Sequence, residues 1–126
     1  MRNEVVTYFE ECVDVFKTFD GPEIARRYLT PYSALRQDGA IKYFDSAPEM
    51  ASHFQSMMDD YLALGVRACR YKDLELMPLG TRSALATVTW ELCRQDDTVV
   101  SFWRESYILV RTADGLRVFA SVDHAL

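Results

Sequence analysis

The chain has 126 residues, which suits one domain with a real core that needs neither disulfides nor metal. Apolar residues at 49% and charged residues at 26% are ordinary globular values and exclude a disordered chain. A net charge of -5, with no stripe of Lys or Arg, argues against nucleic acid and anionic membranes as partners.

No apolar run approaches the ~18 residues that span a bilayer. The opening "MRNEVVTYFEECVD" carries acids where a secretory segment would be apolar, so no export signal is visible and a cytoplasmic location is expected. Cys12, Cys69 and Cys93 leave one thiol over under any pairing, and none sits in a metal-like cluster. Reduced, mostly buried thiols are the plain reading. With two histidines, a His-rich metal site is excluded, and no phosphate loop or nucleophile elbow appears. No metal or cofactor is expected.

In "NEVVTYFEECVDVFKTF" the residues Val5, Phe9, Cys12, Val13, Phe16 and Phe19 recur at helical steps and mark one face of a first helix. Gly21 can end it. Pro22 can open a short second helix over "PEIARRYL", and Pro31 forbids its continuation. "YSALRQDGAIKYF" reads as a short extended pair turning at Asp38-Gly39. Ser46 and Glu49 have capping-box spacing and announce a third helix carrying Met50, Phe54, Met57, Met58, Tyr61 and Leu62, closed by Gly65.

From Gly65 onward the pattern is strand. "VRACRYKDLELM" is broken by Pro78 and Gly80, "RSALATVTWELCR" turns at Asp96-Asp97, "VVSFWRESYILVR" turns at Asp114-Gly115, and "LRVFASVDH" finishes. Helices gathered on one side of this antiparallel meander give a single α+β domain over residues 1–126.

Two-residue loops at both Asp pairs fix a register. Trp90 then faces Trp103, Val88 faces Glu105, and Glu105 faces His124. One sheet face holds Ala84, Ala86, Val88, Trp90, Trp103, Glu105, Tyr107, Leu109, Ala120, Val122 and His124, apolar but for the polar groups at one end. The opposite face carries Phe102, Arg104, Ser106, Ile108, Val110, Phe119 and Asp123. It holds too many large apolar residues for plain solvent, and a second subunit docked on Phe102, Ile108, Val110 and Phe119 is the natural cover.

The element order, the strand–Asp-Gly–strand ending "ILVRTADGLRVFASVDH" and the passage "RYLTPYSALRQDG" resemble the nuclear transport factor 2-like superfamily. The nearest comparison is its SnoaL-like branch of polyketide cyclases and ketosteroid isomerases. The resemblance implies a cone-shaped curved sheet, an α+β barrel or roll of cystatin-like form, wrapped around the three helices. It further implies a small-molecule pocket on the concave face and dimerisation through the outer one. The isomerase residues themselves are not met. Tyr107 stands where those enzymes carry an oxyanion-stabilising acid, and Asp38, in the region of their general base, is explained by its turn.

Glu105 opposite His124 is the sharpest constellation: a carboxylate can orient an imidazole and raise its basicity, or the two can hold each other's hydrogen bonds as structure. Tyr107 beside them can donate to a developing oxyanion or be core. Trp90 and Trp103, with Ala86, Val88, Leu109, Ala120 and Val122, can wall a pocket for a small apolar molecule or be ordinary packing. Asp123 falls outward with Arg104 and Ser106, but a one-residue bulge would exchange it with His124. His53, Tyr8 and Tyr61 complete the reserve. The expectation is a cofactor-independent acid–base enzyme (isomerase, dehydratase, cyclase or hydrolase) or a non-catalytic binding or dimerisation module on the same fold.

Overall fold

The computed structural model describes all residues from Met1 to Leu126. In chain order the elements are α1 (Arg2–Phe16), α2 (Gly21–Ala25), β1 (Tyr28–Leu35), β2 (Ile41–Phe44), α3 (Ala47–Ala63), β3 (Ala68–Leu79), β4 (Ser83–Cys93), β5 (Val99–Thr112) and β6 (Gly115–Asp123).

The amphipathic pattern places α1 as expected: Val5, Tyr8 and Phe9 are its buried residues. The helix stops at Phe16, ahead of Gly21, so that glycine serves a different purpose. It opens α2, where a Cβ would lie 2.5 Å from the Gln55 backbone nitrogen of α3, and no other residue fits that approach. The second helix is also shorter than "PEIARRYL" implies. After Ala25 the chain is drawn into the sheet, with Val118 N donating to Arg27 O at 3.3 Å. Pro31 has no N–H to offer and falls in the gap between Tyr28 and Ser33 where the β1–β6 ladder is interrupted. The remaining helix signals act as read: the Ser46 side chain accepts from Glu49 N at 3.3 Å, and Gly65 takes φ +87° just past α3.

The six strands form one sheet in the order β2-β1-β6-β5-β4-β3. β1 lies parallel to β6 and every other neighbour is antiparallel, so the sheet is mixed. It curves around the helices in the α+β roll that the element order implies, and Phe9 of α1 packs within 6 Å of Trp90 and Tyr107 on the concave face. The expectation of a barrel is corrected: β2 and β3 are the two edges and do not pair, so the sheet stays open. β2 has four residues and pairs along one edge only, with β1, and no strand lies against its other edge.

The two hairpins reach their registers differently. Between β4 and β5 Trp90 faces Trp103 and Val88 faces Glu105, as the sequence predicts. The route differs, because the loop is longer than two residues and a shift between Leu92 and Cys93 compensates for it. Between β5 and β6 the turn residues are Ala113 and Asp114, and Thr112 pairs with Gly115. That moves the pairing by an even step and leaves every side chain on its expected face, with Leu109 now opposite Val118. A bulge then follows: Ile108 pairs with Ala120, and Phe119 is the extra residue. Beyond it the faces invert. Tyr107 pairs with Ser121 and Glu105 with Asp123, so Asp123 turns inward and His124 does not.

Candidate functional site

The concave face and the helices enclose a cavity of about 360 Å³, most of whose lining residues are hydrophobic. α1 contributes Tyr8, Phe9 and Cys12; β1 contributes Tyr28, Tyr32, Ala34 and, just past its end, Arg36; α3 contributes His53, Phe54, Met57 and Tyr61. The sheet supplies Trp90, Trp103, Glu105, Tyr107, Ser121 and Asp123.

The polar groups of the sheet gather at one end of this space. Trp90 Nε1 donates to the Tyr107 hydroxyl at 2.6 Å, and Trp103 Nε1 donates to Glu105 Oε1 at 2.9 Å. Asp123 stands opposite Glu105 across the hairpin, and Tyr107 lies two residues along the same strand, its side chain on the same face. Arg36 Nε lies 3.6 Å from Asp123 Oδ2 at the more open side, and the Tyr32 and Ser121 hydroxyls bond at 2.6 Å.

Burial, reinforced by the negative charge of Asp123, pushes the Glu105 carboxyl up to about 8, although the Trp103 and Tyr107 donors favour its ionised form. Glu105 therefore holds its proton at neutral pH, with a second carboxyl group opposite it. The arrangement sets a neutral acid opposite a second carboxyl across the hairpin, at one end of a largely apolar space. Burial raises the Tyr107 and Tyr28 hydroxyls well above their ordinary value, so both remain donors. His53 is held below its ordinary value by burial and by the positive charges of Arg36 and Lys42.

Of the residues singled out in the sequence, Glu105, Tyr107, Trp90 and Trp103 line the cavity together with Asp123, His53, Tyr8 and Tyr61. His124 does not join them. It sits on the outer face, where its Nε2 bonds Ser106 Oγ at 2.7 Å, and the Glu105–His124 pair is replaced by Glu105–Asp123. Asp123 likewise leaves Arg104 and Ser106, its expected neighbours, which stay outside; Arg104 bonds Thr89 Oγ1 and pairs with Glu75. Ala86, Val88 and Leu109 are fully buried but lie behind the cavity wall as packing. Ala120 and Val122 turn outward, and Val122 is 41% exposed. The Phe119 bulge accounts for these last two and for His124.

Tyr32, Ser121 and Arg36 are cavity residues that the sequence reading missed. Tyr32, Ala34 and Arg36 alternate along β1 and its end, so a period of two applied to "YSALR" would have found them. Ser121 had no such signal, since its direction depends on the bulge. Asp38 is confirmed in its turn, accepting from Ala40 N at 2.9 Å. Arg27, also on the wall, stacks its guanidinium over the Tyr8 ring at 4.8 Å and leaves a buried Nε without a hydrogen-bond partner. No group of three or more His, Cys, Asp or Glu side chains converges as a metal site would require.

Comparison with known proteins adds a family. The model of a family described as NTF2-like protein (DUF6841) matches residues 3–126. No curated protein matches the chain. Among solved structures, the Aln2 protein of a Streptomyces species is similar with a TM-score of 0.78 at 11% identity, covering 98% of this chain and 89% of that one. An NTF2-like protein of unknown function from Shewanella oneidensis gives 0.75 at 14% identity, covering 98% of both chains. A protein from Streptomyces avermitilis proposed to be a dehydratase of the NTF2-like family gives 0.72 at 14% identity, covering 98% of this chain and 94% of that one. At such identities the likeness is one of fold.

Proposed function

Because the chain belongs to this NTF2-like family, whose model spans nearly all of it, we propose that it binds a small, largely apolar molecule in the cavity and moves a proton on it through the Glu105–Asp123 carboxyl pair. The observation that carries this reading is a buried acid beside a carboxylate at one end of an aromatic chamber. A structural ion pair would be cheaper to build with Arg or Lys, whereas two carboxyls sharing a proton are costly to bury and useful for acid–base work. Asp123, partly open to the cavity, removes a proton. Glu105, neutral and hydrogen-bonded by Trp103, gives its proton to the ligand oxygen on which negative charge develops, so that Asp123 ends protonated and Glu105 ionised until the reverse transfer resets the pair. The Tyr32–Ser121 hydroxyl pair, on the same side of the chamber, orients a carbonyl or hydroxyl oxygen of the ligand.

This chemistry is that of an isomerase, dehydratase, cyclase or hydrolase working without a cofactor, and it fits the SnoaL-like, ketosteroid-isomerase-like branch of the superfamily. The Streptomyces avermitilis neighbour is compatible with it. A homodimer formed through the outer sheet face belongs to the same reading: Phe102 is 68% exposed and Phe119 39% exposed on a surface the helices do not reach. Three free cysteines fit a reducing, cytoplasmic setting.

The test is a tryptophan-fluorescence titration with small aryl ketones and naphthols. Quenching of Trp103 and Trp90, abolished when Met57→Trp fills the chamber, is expected. No saturable quenching by any of these probes would remove the ligand-binding reading. Binding without turnover of any bound probe would favour the non-catalytic module.

A further inference from the structure

We propose that His124, outside the cavity, is a positioning residue for the carboxyl pair inside it: by gripping Ser106 across the outer face of the last hairpin it holds Asp123 opposite Glu105. The inference rests on the reading of that pair as the site of proton transfer, and it assigns a role to a network which that reading leaves unused.

Asp123 is the last residue of β6, and the end of a strand opens more readily than its interior. Arg36, at 3.6 Å and itself 41% exposed, is a loose partner for the Asp123 carboxylate. The sheet pairs Val122 with Leu35 and Asp123 with Glu105, and past that ladder His124 adds its backbone N–H, donating to Arg104 O at 2.9 Å, and its Nε2, bonded to Ser106 Oγ at 2.7 Å. Ser106 is anchored in turn by Thr87 Oγ1 of β4 at 2.7 Å. A hydrogen-bonded chain thus crosses from β4 over β5 to the residue that follows β6.

The pleat makes this grip directional. Successive side chains point to opposite faces, so a side chain held outward at 124 commits the one at 123 inward. Without the side-chain grip the bulge and the backbone pairings remain, but Asp123, at the end of the ladder, loses the one outer-face side-chain contact of its neighbour that holds it turned inward. The polar contacts inside the cavity do not replace it, since Glu105 is one member of the pair and Arg36 is the loose contact.

The experiment follows the Glu105 side-chain carboxyl by carbon-detected NMR through a pH titration of the intact protein. In the parent protein its midpoint lies near 8. His124→Ala should lower that midpoint by on the order of one pH unit, because the Asp123 charge that raises it has moved away. Ser106→Ala, a near-isosteric change on the partner side, should lower it likewise and carries the test if His124→Ala does not fold. His124→Gln, whose carboxamide can still reach Ser106 Oγ, should restore the parent midpoint, which a merely structural role would not require. Asp123→Asn should lower it by itself. If Asp123→Asn lowers the midpoint while His124→Ala and Ser106→Ala leave it unmoved, the positioning role is overturned and the carboxyl pair stands. If Asp123→Asn also leaves it unmoved, the two carboxyls are not coupled, and both this role and the proton-transfer reading fall.

Discussion

Glu105 and Asp123 face each other across the last hairpin because one extra residue, Phe119, interrupts the ladder between the Leu109–Val118 and Ile108–Ala120 pairs. Straight pairing would have sent Asp123 outward and brought in a histidine. The bulge instead places a second carboxylate against an already buried acid, and the electrostatics of the cavity follow from that single insertion. Neither group can be read from its own strand.

The first consequence is a pH dependence of stability. The folded-state pKa of Glu105, about 8, lies above its ordinary value of 4.5. The folded protein therefore holds this proton more tightly than the unfolded chain. The stability it contributes is complete below pH 4.5 and is lost as pH rises through 8, with a limiting slope of about 1.4 kcal/mol per pH unit. His53, held below its ordinary 6.5, acts in the opposite sense and only at lower pH. Between pH 6.5 and 8 the melting temperature should fall in the parent protein and stay nearly flat in Glu105→Gln. Equal slopes in the two proteins would contradict the assignment.

The second concerns the Trp103 indole, which donates to Glu105 Oε1 at 2.9 Å and favours the ionised acid. Trp103→Phe keeps an aromatic ring, smaller than the indole, and removes the donor. The Glu105 midpoint should rise further, with a modest stability loss of roughly 1 kcal/mol for the missing hydrogen bond. A falling midpoint by the same NMR titration would show that the indole contact does not stabilise the carboxylate.

Much of this architecture was legible beforehand, and the reasons differ by element. Ser46 with Glu49, the helical spacing in α3 and the turn at Asp38-Gly39 are local signals with local causes, and they hold. The Trp90–Trp103 pairing was right because a longer loop and a compensating shift cancel. The Phe119 bulge was not legible: "RVFASVD" contains no glycine or other mark of an inserted residue, and its cost is settled by tertiary contacts. That one residue displaces His124, Ala120 and Val122 from the predicted wall and brings in Ser121 and Asp123. The open edge between β2 and β3 was hidden for a related reason, since strand order is a property of the whole sheet.

The third prediction follows from Ala86. On the sequence, Ala86 can stand in the wall of a pocket or be ordinary packing. In the structure Ala86 is completely buried and lies outside the cavity. Ala86→Leu should overpack the core and cost roughly 1–3 kcal/mol in chemical denaturation. A neutral substitution would mean that the cavity extends beneath β4.

The fourth concerns assembly. Sedimentation should find a dimer at micromolar concentration, and Ile108→Lys, on the half-buried outer face of β5, should dissociate it without loss of secondary structure. A parent protein that sediments as a monomer would leave Phe102 and Phe119 as unpartnered surface.

Proton transfer by Asp123 is tested most directly by hydrogen–deuterium exchange on a bound probe. An aryl ketone that quenches Trp103 is incubated with the protein in D2O, and loss of its α-proton signal is followed by NMR. Exchange well above the buffer rate is predicted, falling by at least about a hundredfold in Asp123→Asn while binding is retained. A ketone that binds in the cavity yet exchanges at the buffer rate, equally in the parent and in Asp123→Asn, would contradict it.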